Sequence, residues 1–112
     1  MLQMISEETI KEAARRLVDK FHPKRIILFG SYARGTANVH SDVDLLVICP
    51  IKKGRNKLAF EMDMELWGLE MARDIIILTP DEFERDKYIP GTIARPAWKE
   101  GKVMYDDKKR RH

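Results

Sequence analysis

Asp42 and Asp44 open one apolar run, DVDLLVIC, and Asp74 opens a second, DIIIL. In an extended strand alternate residues point to the same face. Asp42 and Asp44 therefore project together, with α-carbons about 6.6 Å apart. At an effective dielectric near 20, two like charges at that spacing repel by roughly 2.5 kcal/mol. An unpaired carboxylate at the head of a buried strand is costly as well. A cation between the two relieves both effects. Mg²⁺ takes such hard oxygen ligands in small number and fills its remaining positions with water and substrate phosphate. The competing explanation is capping or solvated strand-edge charge, which suits Asp42 after Ser41 better than Asp44. Asp74 joins the same site if its strand lies beside the second one. There it would complete a metal centre or accept a proton from an attacking hydroxyl; otherwise it caps its own strand.

The other half of a site lies just upstream. Gly30 and Ser31 follow an apolar run, RIILF, and a strand that turns through glycine into a helix start aims several backbone N–H groups at one point. Gly30 permits close approach of backbone to a ligand, and Ser31 adds a hydroxyl. Alone, a Gly-Ser turn is more often structural. Arg34 either contacts phosphate or pairs with a surface carboxylate. Metal beside phosphate is the chemistry this stretch implies.

The elements that must hold these residues are legible. Ile10, Ala13, Ala14, Leu17, Val18 and Phe21 recur at helical spacing after Ser6, a suitable N-cap, with Glu7 and Glu8 in the first turn and Pro23 as the stop. Strands are expected over 25–29, 42–49 and 74–78. The turn spans 30–35, with a single helical turn at its start, and 36–41 is loop. A second long helix is expected over 57–71, through Leu58, Met62, Leu66 and Leu69, with Met64, Trp67 and Met71 widening its apolar coverage. Thr79-Pro80-Asp81-Glu82 starts a short helix to about Asp86. A last helix over 92–100 and a strand over 102–105 complete the chain. This alternation predicts a mixed α/β (α+β) domain, a small mixed sheet with helices packed on it.

At 112 residues the chain makes one domain. Its net charge of +3 owes much to the last five residues, KKRRH, so the body carries no basic face for nucleic acid. Residues 106–112 are expected to form a frayed basic tail. The single cysteine, Cys49, fits a core position and a reducing compartment. No signal-peptide core or membrane-length apolar run is present, so a cytoplasmic protein is expected. Asp63 and Glu65, two apart on a helix, fall on opposite faces and read as surface charge. His22 and His40 have no ligand partner at strand or helix spacing. Trp67, Trp98 and Tyr105 suit a core or an interface.

The combination G-S-Y-A-R-G at 30–35 and S-D-V-D-L at 41–45 resembles the signature of the polymerase-beta-type nucleotidyltransferase superfamily. The short length resembles its minimal nucleotidyltransferase (MNT) branch. The resemblance implies transfer of a nucleotidyl group, AMP from ATP, with Mg²⁺. Carried over, Gly30 and Ser31 would hold the β- and γ-phosphates, Asp42 and Asp44 the metal ions, and Asp74 would be the third carboxylate. Arg34 matches the motif's arginine. Members of this size are often antitoxins encoded beside HEPN-domain toxins, and active ones adenylylate a tyrosine of that partner. The alternative is a non-catalytic module that neutralises its partner by contact, in either case as a hetero-oligomer.

Overall fold

The computed structural model describes residues 3–110. Helix α1 (Glu7–Phe21) begins where the Ser6 hydroxyl accepts the Thr9 N–H at 3.1 Å. It ends at His22, whose left-handed backbone (φ 50°) turns its N–H back to the Val18 carbonyl. Strand β1 (Arg25–Phe29) follows, then the one-turn helix α2 (Ser31–Arg34) and strand β2 (Val43–Ile48). The remaining elements are α3 (Arg55–Glu65), β3 (Arg73–Leu78), α4 (Pro80–Asp86), α5 (Ala94–Glu100) and β4 (Lys102–Asp106).

The four strands form one sheet in the order β3-β2-β1-β4. Strand β1 runs antiparallel to both β2 and β4, whereas β2 and β3 are parallel. This is the expected mixed sheet with helices on it. Alternation along the strands divides the core in two. Ile26, Leu28, Val43, Leu45 and Val47 pack with Ala13 and Leu17 of α1 and Met62 of α3. Ile27, Leu46 and Ile48 pack with Phe83 of α4 and Ala94 and Ala97 of α5. Leu17 is wholly buried, so Leu17→Ala would cost about 2–5 kcal/mol. Asp44 shares the parity of Leu46 and Ile48, and Asp74 that of Ile76 and Leu78. The two acids therefore belong to the α4–α5 face of the sheet.

The structure moves several boundaries. Asp42 lies just before β2, which begins at Val43, where the ladder to β3 starts. The helix expected over 57–71 starts earlier, at Arg55, and stops at Glu65. The chain then tightens through i→i−3 bonds at Leu66 and Trp67, and Gly68 turns it at φ 93°. Leu66 and Met71 stay buried although they have left the helix, so the apolar pattern outlasted the helical backbone. The last helix starts at Ala94 rather than 92. In the segment expected to fray, Asp106 closes β4 and Asp107–Arg110 forms a 3-10 turn, with the Asp107 amide bonded to the Lys24 carbonyl at 3.0 Å. Residues 111 and 112 lie outside the described residues.

Candidate active site

The β2–β3 ladder places Asp44 directly beside Asp74, each one residue inside the start of its strand. This adjacency is what the sequence left conditional. On the opposite side, β1 pairs Phe29 with Asp44, so the chain entering Gly30 passes next to the same carboxylate. Gly30 takes φ 74°, a conformation L side chains rarely adopt, and a Cβ there would overlap Asp44 Oδ2. Its role is thus partly clearance for Asp44, which the Phe29–Asp44 register explains and the Gly-Ser motif alone did not. The Gly30 carbonyl accepts the amides of Ala33 and Arg34, both at 3.1 Å, which sets α2. The amides of Ser31 and Tyr32 precede these first intrahelical bonds, as phosphate cradles require. Tyr32 anchors the turn from behind, its hydroxyl accepting the Ile5 N–H at 2.9 Å.

Asp42 and Asp74 are exposed and Asp44 is half-buried. Burial pushes the Asp44 carboxyl above its ordinary range, the charges of Asp74 and Asp42 push it further, and Arg34 opposes them. Asp44 therefore lies within the electrostatic reach of two other carboxylates, as expected of a cation site. Among the described residues, no three His, Cys, Asp or Glu side chains converge as a finished metal cage. The carboxylates of Asp44 and its neighbours are hard oxygen donors of the type Mg²⁺ takes in small number beside water and phosphate. Arg34 pairs with a surface carboxylate, the second of its two expected descriptions. Its Nη1 lies 3.9 Å from Glu100 Oε2, and its charge reaches Asp44. The Glu100 contact joins the end of α5 to the site and had no local signal in the sequence.

The other singled-out residues stand apart. Asp63 pairs with Arg73 at 2.9 Å and Glu65 with Lys20 at 3.3 Å, surface ion pairs as expected. His22 caps α1 and His40 is exposed. Cys49 is buried, and burial raises its thiol. Trp67 and Trp98 are exposed, and Tyr105 packs partly against the core.

A glycine turn beside paired acids on this sheet defines a nucleotidyltransferase-type domain. The nucleotidyltransferase domain family matches residues 8–103, and the chain belongs to that family. It is a nucleotidyltransferase. A Methanocaldococcus jannaschii protein provisionally named a protein adenylyltransferase is 33% identical over 107 residues, covering 91% of this chain and all of its own. The fold is similar to a Sulfolobus solfataricus protein provisionally named a nucleotidyltransferase, with TM-score 0.63 and 22% identity over 91% of this chain and 81% of that one. It is also similar to a chain in the structure of a tri-AMPylated Shewanella oneidensis HEPN toxin in complex with MNT antitoxin. There the TM-score is 0.60 and the identity 18%, over 95% of this chain and 76% of that one. No helix among the described residues is long and apolar enough to cross a membrane.

Proposed function

We propose that this chain transfers AMP from ATP, with Mg²⁺, to a tyrosine hydroxyl of a HEPN-type partner protein and so acts as an antitoxin. The observation that carries the reading is the in-register Asp44–Asp74 pair beside the Gly30–Ser31 turn. The name of the M. jannaschii relative and the AMPylated partner in the S. oneidensis complex support the adenylyl group and the acceptor class.

In this reading the Ser31 hydroxyl and the first amides of α2 hold the β- and γ-phosphates. Asp42 and Asp44 hold the metal, and Arg34 faces the developing negative charge. Bound Mg²⁺ would neutralise phosphate charge during the transfer. Asp74 accepts the proton as the acceptor oxygen bonds to the α-phosphorus. The bond from that phosphorus to the β-phosphate oxygen breaks, and pyrophosphate leaves. The protein contributes position and electrostatics rather than covalent chemistry.

The test is incubation of the HEPN-type partner with labelled ATP and Mg²⁺, comparing wild type with Asp42→Asn/Asp44→Asn. Label on the partner with wild type alone supports the proposal. Neutralisation without label by both proteins would replace it with a contact-only antitoxin.

A further inference from the structure

A pocket of about 450 Å³ opens at the pole of the sheet where β2 and β3 begin. Val39, His40 and Ser41 in its wall run directly into Asp42, and Glu70 and Ala72 run through Arg73 into Asp74. The Val43 amide bonds the Ala72 carbonyl at 2.8 Å, so the two loops and the acids they lead into share one hydrogen-bonded framework.

Two properties define what fits there. Apolar side chains stand in water around the opening: Met4 is 47% exposed, Val39 41%, and Trp67, next to Gly68 of the wall, 77%. One acid, Glu70, lies in the wall, and Asp42 and Asp74 lie just beyond it. Asp42, Asp74 and Glu70 are exposed, and none makes an ion pair among the described residues. Among the described residues, His40 is the one basic side chain in the pocket wall. Exposed apolar side chains beside the Glu70 carboxylate suit an apolar polypeptide segment that carries a Lys or Arg.

We infer that this pocket receives the flank of the acceptor polypeptide, an apolar side chain near the hydroxyl-bearing residue, with Lys or Arg beside it facing Glu70. The inference rests on the adenylyl-transfer reading and names how that substrate is recognised. The chain from the pocket to the acids is one residue at Ser41 and two at Ala72. A segment anchored in the pocket therefore lies at the same end of the sheet as the acids, one or two residues along the chain from them.

Val39→Glu and Glu70→Lys, both at exposed positions, test this, with thermal melts confirming the fold. Rates of partner labelling are measured while the partner and ATP are varied separately. Each variant is expected to raise the KM for the partner about tenfold, equivalent to about 1.4 kcal/mol, while the KM for ATP holds. Glu70→Lys should also reduce the salt dependence of the partner KM. An unchanged partner KM overturns the inference, as does a rise confined to the KM for ATP, which would assign the pocket to the nucleoside. Calorimetric binding of the HEPN-type partner to Asp42→Asn/Asp44→Asn separates the two readings. Wild-type affinity after adding Val39→Glu sinks the pocket, whatever the outcome of labelling. Lost affinity upholds the pocket even if wild type transfers nothing and the adenylyl reading falls.

Discussion

Gly30 passes so close to Asp44 that a Cβ on the glycine would occupy the space of the Asp44 carboxylate oxygen. The Gly30 turn and Asp44 are therefore one packing unit, set by the register that pairs Phe29 with Asp44. A change on either side of that contact disturbs both.

Gly30→Ala meets two obstacles, the overlap with Asp44 and a backbone φ of 74°. The expected cost is about 1–3 kcal/mol, read as a lower urea midpoint. The surviving protein must displace the Asp44 carboxylate, and a shift near 1 Å costs on the order of 100-fold in rate. Partner labelling under saturating ATP checks this. A variant with wild-type rate and stability would show that the contact is incidental.

Asp44→Asn should separate stability from activity. Burial and the charges of Asp74 and Asp42 disfavour the ionised carboxylate, so in metal-free protein at neutral pH its charge opposes folding. Removing that charge is expected to stabilise the metal-free protein by up to about 1 kcal/mol, seen as a rise of a few degrees in melting temperature. Adding Mg²⁺ should narrow the gap by stabilising wild type alone. Labelling should be lost. A melting temperature below wild type in chelator would contradict the charge argument.

Local signals explain what was readable beforehand. The RIILF run, the glycine turn and the DVDLLVI run each carry their own backbone preference, so β1, α2 and β2 fall within a residue or two of expectation. The residues after Glu65 carried a conflicting signal. Leu66, Leu69 and Met71 continue an apolar pattern, but they are buried or partly buried from a loop that Gly68 turns, and burial alone does not specify helix. Strand order is a property of the whole chain. Nothing near Asp74 states that β3 lies parallel to β2, and only the assembled sheet brings Asp74 beside Asp44. The Arg34–Glu100 contact is of the same kind.

The support behind β3 gives a pH-dependent prediction. Thr79 and Glu82 cap α4 reciprocally, and Arg55 donates to Glu82 and to the Ile77 carbonyl of β3 at 2.7 Å. The hydrogen bond from Arg55, then that from the Thr79 amide, lower the Glu82 carboxyl from 4.5 to about 2. Its folded value is depressed, so its contribution is full above 4.5 and fades as pH falls toward 2. Glu82 is partly open to solvent, which limits the effect to roughly 1 kcal/mol or less. Glu82→Gln should therefore lower the urea midpoint at pH 7 and have little effect near pH 2. Thr79→Ala should cost about 1 kcal/mol. Equal losses from Glu82→Gln at both pH values would mean that packing, not charge, is what the substitution removes.

Asp74→Asn distinguishes a proton acceptor from a metal ligand. Asp74 is exposed, at the start of the edge strand and on the flank of Asp44, whereas Gly30 presses against Asp44 itself. If Asp42 and Asp44 suffice to hold metal and triphosphate, Asp74→Asn leaves the Kd for ATP with Mg²⁺ within a few-fold of wild type. The transfer rate falls by about 10²–10⁴, the range of a lost general base. Asp44→Asn should instead weaken ATP binding and transfer together. The check is equilibrium binding of ATP with Mg²⁺ alongside single-turnover labelling of the partner. The acceptor hydroxyl's proton would then pass to Asp74, and raising the pH should recover part of the lost rate in Asp74→Asn by ionising the acceptor. If ATP binding drops as far as it does in Asp44→Asn, and no rate returns at high pH, Asp74 acts through the metal.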